Sequence, residues 1–141
     1  MFKIMALNSC NILPMKAYEN DAGFDVYNNG LEKRIKPGCR ALIDLGFAME
    51  LKYGWVALIQ EKSGMANKQG IITMGNVIDA NYRGEVHAIV MNLSDELVVI
   101  KPKQKVAQML ILSCYTGRKY TAVDILGESN RGAKGFGSTG L

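Results

Sequence analysis

The stretch EVHAIVMNL, residues 85–93, alternates two kinds of side chain. Small or branched apolar residues occupy every second position, and a histidine and larger apolar residues occupy the positions between them. The first set is Val86, Ala88 and Val90, and the second is His87, Ile89 and Met91. A repeat of two residues is typical of a β-strand whose two faces have different surroundings. We therefore predict a strand with two unlike faces.

Similar short apolar runs continue along most of the chain. They are RALIDLGFAMEL (40–51), WVALIQ (55–60), ELVVIKP (96–102) and VAQMLILSCY (106–115). Turn signals such as NNG, KPG and RG separate the runs. Many short strands at regular spacing predict an all-β sandwich, jelly roll or barrel.

Helical signals are confined to SGMANKQG, residues 63–70. Ser63 is the candidate N-cap and Gly70 the candidate C-cap. We expect one short helix. From Glu128 the composition changes abruptly to Gly, Ser, Thr, Lys and Arg, which predicts a flexible arm over 128–141 that follows a single domain over 1–127.

The overall composition limits the class of protein. The 141 residues are 48% hydrophobic and carry a net charge of +4, which argues against a disordered chain and a dedicated nucleic-acid binder. No apolar run reaches the roughly 18 residues of a membrane span. Three scattered cysteines and one histidine do not form a zinc pattern, and the N-terminus lacks signal-peptide features. We expect a cytoplasmic protein, or one in the host cytosol if the gene is viral.

Four stretches carry residues suited to phosphate chemistry: DAGFDV (21–26), EKSGMANKQG (61–70), GNVIDANYRGEV (75–86) and RGAKGFGSTGL (131–141). The second offers a lysine, a hydroxyl and backbone N–H groups to a phosphate. In the third, Asp79 ends an apolar strand, where desolvation implies either partners or a function. The fourth adds Arg131, whose planar fork fits phosphate oxygens. Together these residues predict a nucleotide polyphosphate ligand with a divalent metal.

The order and spelling of these stretches, together with KPKQKVAQMLI (101–111), resemble the homotrimeric dUTP pyrophosphatases (dUTPases) over nearly the whole chain. The patterns RGxxGFGSTG and VIDxxYRGEV are the most specific. The resemblance implies a jelly-roll-like β-barrel and a homotrimer with active sites between subunits. It also implies Mg²⁺-dependent hydrolysis of dUTP to dUMP and pyrophosphate, which lowers dUTP and supplies dUMP for dTMP synthesis. No stable nucleic-acid or membrane partner is expected.

The resemblance assigns roles around the reacting phosphate. Asp79 would activate the attacking water and accept a hydrogen bond from the 3′-hydroxyl, and Tyr82 would pack on the deoxyribose. Asn76 and Val77 belong to the hairpin that would read the uracil edge. Asp25 would hold Mg²⁺ through water, with the metal bound mainly by the substrate phosphates.

Further residues would hold the phosphates and the base. Lys62, Ser63, Gly64 and Gln108 would bind phosphate oxygens, and Arg131 would pair with the γ-phosphate. In the arm, Phe136 would stack on uracil while Gly137, Ser138 and Thr139 would complete the substrate contacts.

The chain departs from the family pattern at several of these motifs. Lys62 stands where arginine is usual, and Glu61 stands where proline is usual. Asn76 and Asn81 replace a common glycine and a common aspartate. Residues 103–105 read KQK instead of GDR, a change that we expect to affect structure more than chemistry. Two alternatives remain open: a dCTP deaminase-like enzyme, and a nucleotide-binding regulatory protein with weak or no turnover.

Overall fold

The regular secondary structure of the protein consists almost entirely of short strands. The computed structural model describes residues 2–117 and 119–133. In chain order the elements are β1 Lys3–Ala6, β2 Phe24–Tyr27, β3 Lys33–Ile35, β4 Arg40–Asp44, β5 Phe47–Glu50, β6 Trp55–Gln60, α1 Ser63–Gln69, β7 Ile71–Met74, β8 Val77–Asp79, β9 His87–Asn92, β10 Val98–Ile100 and β11 Lys105–Ser113. The predicted all-β class with one short helix is confirmed.

The strands pair into four antiparallel sheets. The largest has the order β2-β11-β6-β8, and a second has the order β4-β9-β7. Two ribbons, β1-β5 and β10-β3, complete the set. Within the described residues these ladders stay separate and do not join into one closed cylinder, although one core cluster draws on strands of all four sheets. The arrangement therefore resembles a jelly roll that is held together by side-chain packing between its sheets.

The core confirms the alternation in 85–93. Val86, Ala88 and Val90 are buried, whereas the alternating residues of β9 are half-buried. Other strands and the β4–β5 connection contribute the largest fully buried side chains, which include Phe47, Ile43, Leu45, Ile59, Ile71 and Met109. Burial of such side chains contributes roughly 1.5–3 kcal/mol each, so this core is the main stabilising element of the fold.

The helix begins one residue earlier than predicted. Lys62 is the N-cap, with an extended backbone (φ −89°, ψ 132°) and no side-chain capping hydrogen bond, so the prediction of Ser63 as N-cap is wrong. Ser63 already has helical geometry as the first residue of α1. Gly70 ends the helix at φ 62°, a left-handed conformation that glycine adopts without a Cβ penalty, as predicted. No helix in 2–117 or 119–133 is long and apolar enough to cross a membrane.

The KQK turn is maintained although it has no glycine. Lys103 adopts φ 64°, which is uncommon for a residue with a side chain. Its ammonium group donates to Cys10 O and Asn29 Oδ1, both at 2.8 Å. These two hydrogen bonds offset the cost of the left-handed backbone. They also join the turn before β11 to the segments before and after β2.

The C-terminal segment has no regular secondary structure within the described residues 119–133, and these residues are exposed. Residues 134–141 lie outside the described residues. The division into a domain over 1–127 and an arm over 128–141 stays a prediction.

Candidate active site

Four side chains form a charged cluster where β2, β11 and the start of α1 meet. The Asp25 side chain is 10% exposed, and both of its oxygens contact lysines. Lys62 Nζ pairs with Oδ1, and Lys105 Nζ lies 2.7 Å from Oδ2. Gln108 is the β11 residue directly opposite Asp25, so their side chains lie on the same face of the sheet. We call Asp25, Lys62, Lys105 and Gln108 the charged cluster.

The lysines keep Asp25 ionised. Burial raises the pKa of this carboxyl group, but hydrogen bonds and charge attraction from Lys105 and Lys62 outweigh burial and lower the pKa below its usual value. In turn, the hydrogen bond and the negative charge of Asp25 raise the pKa of Lys105. The cluster therefore holds one negative and two positive charges at neutral pH.

A β-bulge brings Lys105 to the cluster. Lys105 pairs with Tyr27 and Ala107 with Val26, so β11 contains one extra residue between these pairs. In a regular strand, Lys105 and Gln108 would lie on opposite faces because they are three residues apart. The extra residue places both on the face of Asp25. Sequence analysis missed Lys105 as a site residue, since KQK alone does not indicate a bulge.

Gln108 fits against backbone at the edge of the cluster. Its Nε2 donates to Glu61 O at 3.0 Å. Gly23 leaves room for it, since a Cβ there would lie 2.5 Å from Gln108 Oε1. The Glu61 carboxylate does not contact Lys62. It accepts a 3.0 Å hydrogen bond from Thr73 Oγ1, whose residue is 9% exposed.

The helix start provides Ser63 and Gly64 beside the charged cluster. Both residues are exposed, and a Cβ at Gly64 would meet no other atom within 4 Å. The structure thus brings Asp25, Lys62, Ser63, Gly64 and Gln108 together, as the predicted phosphate site requires.

A second group of predicted residues lines an open cleft of about 220 Å³ between the β7–β8 hairpin and β9. We call it the hairpin cleft. Its lining is Leu42, Gly75, Val77, Ile78, Asp79, Tyr82, Glu85, His87 and Ile89. Gly75 has φ 59°, so this glycine provides the left-handed residue of the hairpin. Asn76 is not among the lining residues, although its carbonyl accepts a hydrogen bond from Ile59 N at 2.9 Å.

Asp79 lies at the end of β8 and is exposed. Its carboxylate makes no hydrogen bond or ion pair with any residue in 2–117 or 119–133, while its carbonyl accepts from Tyr82 N at 3.1 Å. The premise that Asp79 is desolvated, and so needs either partners or a function, is therefore wrong for the single chain, because the strand ends at the surface. What remains is an accessible carboxylate on the rim of a cleft.

The Tyr82 ring is fixed over the same cleft. Its hydroxyl donates to Glu85 O at 2.9 Å, and a Cβ at Gly84 would lie 2.4 Å from the Tyr82 hydroxyl oxygen. Glycine at this position lets the ring lie against the turn. The ring is 44% exposed and can offer its face to a ligand.

Sequence analysis missed two residues of the cleft wall, Glu85 and His87. His87 Nε2 lies 3.5 Å from Asp44 Oδ1 and 3.8 Å from Glu85 Oε2. Ligand atoms of these three residues lie within 4.8 Å of one another, a spacing compatible with a metal ion. Lys33 Nζ, 3.7 Å from Asp44 Oδ2, already supplies a positive charge there. Their place in the cleft follows from the β4–β9 register and not from a sequence motif.

The two groups are far apart in the single chain. Asp25, Gln108 and Gln60 share one row of the β2-β11-β6-β8 sheet, whereas Asp79 pairs with Val56, four residues along β6. Three strand spacings of about 4.8 Å and four residues of about 3.3 Å put the Asp25 and Asp79 backbones on the order of 20 Å apart. One chain therefore does not bring both carboxylates to the same phosphate.

The predicted arm residues are only partly covered by the structure. Arg131 is exposed near the end of the described residues. Phe136, Gly137, Ser138 and Thr139 lie outside the described residues, so their predicted contacts with uracil and phosphates stay predictions.

With these sites located, comparison with known proteins decides the family. A family model described as dUTPase matches residues 10–140. The chain belongs to the dUTPase family. Relatives named deoxyuridine 5′-triphosphate nucleotidohydrolase match over nearly full length. The one from Ehrlichia canis (strain Jake) is 38% identical and is aligned over 100% of this chain and 95% of the relative. The one from Clostridium acetobutylicum is 40% identical and is aligned over 99% of this chain and 96% of the relative.

Solved dUTPase structures share the fold. A mutant dUTPase of Staphylococcus bacteriophage 80alpha with dUpNHpp has a TM-score of 0.87 at 21% identity, over 100% of this chain and 99% of that one. A mutant dUTPase from phage phi11 of S. aureus has a TM-score of 0.80 at 19% identity, over 91% of this chain and 99% of that one. That structure is described as showing the coordination of a structural Mg(II) ion. At this identity the likeness establishes the fold, and it confirms the predicted class for this dUTPase family member.

Proposed function

We propose that the protein is a dUTP diphosphatase, which hydrolyses dUTP to dUMP and pyrophosphate. The observation that carries the proposal is the hairpin cleft, where an accessible Asp79 carboxylate lies beside the fixed Tyr82 ring. The names of the dUTPase relatives support the same reaction. The reaction would lower dUTP and supply dUMP for dTMP synthesis in the cytosol, where the three free cysteines stay reduced.

Asp79 acts as the general base. Its carboxylate accepts a proton from a water molecule, whose oxygen attacks the α-phosphorus as pyrophosphate leaves from the opposite side. A base must lie within hydrogen-bond reach of that water, and an exposed carboxylate at a strand end meets this requirement without steric obstruction. The same carboxylate can accept a hydrogen bond from the 3′-hydroxyl, which fixes the sugar relative to the phosphate.

The hairpin cleft selects the nucleoside. Tyr82 packs against the deoxyribose and leaves no space for a 2′-hydroxyl, because its ring is held by Glu85 O and cannot swing aside without breaking that hydrogen bond. The hairpin backbone around Asn76 and Val77 reads the uracil edge. Exclusion of cytosine and thymine depends on this backbone pairing and on the limited cleft volume of about 220 Å³.

The charged cluster fits a triphosphate and its metal. Lys62, Gln108 and the helix start at Ser63 and Gly64 bind phosphate oxygens, the positive charges supplying the neutralisation that in-line attack requires. Asp25 fits Mg²⁺ because a single ionised carboxylate suits a metal that keeps several waters and binds mainly to phosphates. When bound there, Mg²⁺ would add charge neutralisation and hold the triphosphate in one conformation.

We infer a homotrimer with shared active sites. The separation of about 20 Å between Asp25 and Asp79 supports this assembly, since a site needing both must combine two chains. Exposed apolar side chains also favour association: Met5 is 61% exposed, and Trp55 and Leu112 are 41% and 44% exposed. In the arm, Arg131 would bind the γ-phosphate, Phe136 would stack on uracil, and Gly137, Ser138 and Thr139 would close the site.

Product analysis tests the reaction directly. The purified protein is incubated with dUTP, dCTP, dTTP or UTP, each with and without Mg²⁺, and the products are separated by anion-exchange chromatography. We expect dUMP and pyrophosphate from dUTP in the presence of Mg²⁺. Ammonia release from dCTP would support a deaminase instead, and tight dUTP binding without turnover would support a regulatory protein.

Subunit mixing tests the shared site. Asp79→Asn and Lys62→Ala chains are co-refolded in equal amounts, and each is also refolded alone. If the two residues serve one site from different chains, random assembly restores activity to about a quarter of the sites, although each variant alone is nearly inactive. Failure of the mixture to exceed the separate variants would place both residues in a site made by one chain.

Removal of 131–141 tests the arm. The truncated protein should keep the elution volume and thermal transition of the full chain, because the core ends with β11, but it should lose most turnover. Normal turnover by the truncated protein would contradict the role of the arm.

A further inference from the structure

Both oxygens of Asp25 already have a cationic partner. Lys62 contacts Oδ1 and Lys105 contacts Oδ2, and the side chain is 10% exposed. The residue proposed to hold the metal through water is thus paired with the protein's own cations.

The surroundings of Asp25 repel a bare metal ion. Two ammonium groups and one carboxylate give the cluster a net charge of +1, and the nearby Glu61 carboxylate is engaged by Thr73. Asp21 and Tyr27 are the remaining titratable groups whose charge acts on Lys105. A divalent cation that approaches Asp25 alone therefore meets two ammonium groups already paired with the carboxylate.

The two lysines are able to change partners. The Lys105 side chain is 48% exposed and the Lys62 side chain 30%, compared with 10% for Asp25. Lysine is a flexible point charge with three donors, so it can move from a carboxylate to a phosphate oxygen with one hydrogen bond replacing another. A triphosphate brings several negative charges to the cluster and makes that exchange favourable.

We propose that Lys105 is a positioning residue of the phosphate site. Together with Lys62, Lys105 keeps Asp25 closed to a free divalent ion and releases Asp25 to a metal that arrives bound to a triphosphate. This inference rests on the proposed function and adds a residue to it. Lys105 leaves Asp25 Oδ2 for a phosphate oxygen, and Asp25 then accepts hydrogen bonds from the water of the incoming metal. The bulge in β11 is the structural feature that makes the exchange possible, because it turns Lys105 toward Asp25.

Binding of Mn²⁺ in the absence of substrate tests whether the two lysines keep Asp25 closed to a free divalent ion. Free Mn²⁺ is measured by electron paramagnetic resonance during titration of the wild type, Lys105→Met, the double variant Lys105→Met/Asp25→Asn, and Lys101→Met as a matched control. Lys101 is an exposed lysine of the same segment whose side chain makes no hydrogen bond or ion pair with the described residues. Circular dichroism verifies that each variant is folded.

We expect Lys105→Met to bind Mn²⁺ roughly tenfold more tightly than the wild type, because one positive charge beside the ion is removed and one carboxylate oxygen is freed. The Asp25→Asn change should abolish this gain, and Lys101→Met should match the wild type. Unchanged affinity in Lys105→Met, or a gain that persists without Asp25, would overturn the proposal.

The wild type provides a test that does not depend on a folded Lys105→Met. If Asp25 is closed, Asp25→Asn leaves the affinity for Mn²⁺ alone unchanged, whereas an affinity lowered by Asp25→Asn would refute the closed state. Addition of the non-hydrolysable analogue dUpNHpp should produce tight Mn²⁺ binding that Lys105→Arg preserves and Lys105→Met weakens. The Mn²⁺-alone measurements are independent of dUTP turnover, so their outcome is separate from that of the product analysis.

Discussion

The charged cluster and the hairpin cleft differ in whether their key carboxylates have partners within the same chain. In the cluster, every charged group has a partner, and Asp25 is 10% exposed between two lysines. In the cleft, Asp79 is exposed, and its carboxylate has no partner in the part of the chain that the structure describes. In the proposed function, the cluster is a preformed binding surface, whereas the cleft is one wall of a site whose reactive carboxylate has no partner until substrate binds.

This difference indicates which region would bind the substrate and which would carry out the proton transfer. Preformed ion pairs fix the geometry of a phosphate site before the ligand arrives, which lowers the entropy cost of binding. An unpaired carboxylate keeps its proton-accepting capacity for the reaction. Loss of the reactive group should therefore affect the rate most, whereas changes in the cluster should affect binding and stability.

The largest effect is expected for Asp79→Asn. The amide cannot accept the proton of the attacking water, so kcat on dUTP should fall on the order of 10³-fold, in the upper part of the range for a lost general base. Steady-state pyrophosphate release measures kcat, and calorimetry with dUpNHpp should show that nucleotide binding is kept within a few-fold. Thermal unfolding should be unchanged, since Asp79 is exposed at the end of β8. A variant with wild-type kcat would remove Asp79 from the mechanism.

Tyr82→Ala should reduce discrimination against UTP. Without the ring there is space for a 2′-hydroxyl, and we expect the ratio of kcat/KM for dUTP over UTP to fall roughly 10- to 100-fold. Tyr82→Phe keeps the ring but loses the hydrogen bond to Glu85 O, so it should retain most of the discrimination. Equal ratios in the wild type and Tyr82→Ala would show that another part of the cleft senses the sugar.

The charged cluster should produce a pH-dependent contribution to stability. Because the pKa of Asp25 is lowered in the folded protein, its ionised form stabilises the fold fully above the unfolded pKa of about 3.9, and this stabilisation is lost as pH falls toward the folded pKa. The urea midpoint of the wild type should exceed that of Asp25→Asn at pH 6, and the gap should narrow by pH 3. A gap that stays constant over this range would mean that the lysine contacts do not stabilise the carboxylate.

The smallest effect is expected for Thr73→Val. The change removes the donor that holds the Glu61 carboxylate, which becomes able to compete with substrate for Lys62. KM for dUTP should rise roughly threefold, comparable to a surface ion pair, while kcat stays the same. Thr73→Ser keeps the hydroxyl and should behave like the wild type. An unchanged KM in Thr73→Val would show that Glu61 stays away from the phosphates without Thr73.

Much of the fold was predictable from local patterns. The alternation in 85–93 marked the two faces of β9, and Gly70 marked the end of α1 because both depend on neighbours in sequence. The N-cap was placed wrongly at Ser63, since Lys62 holds that position although its side chain pairs with Asp25 and does not cap the helix. The residues predicted to bind phosphate lie near one another in the structure, but the sequence did not reveal the partner of each charge.

The amino-acid sequence by itself determined the all-β class and the family, and it indicated the candidate residues, because periodicity, turn residues and motifs are local properties of the chain. Tertiary structure decided three further points. The bulge in β11 turned Lys105 onto the face of Asp25 and Gln108, against simple alternation. The β6–β8 register placed Asp79 about 20 Å from Asp25. Because β8 ends at the surface of the protein, its last residue, Asp79, is exposed. Register and bulges depend on pairing between distant segments, which no single stretch of sequence specifies.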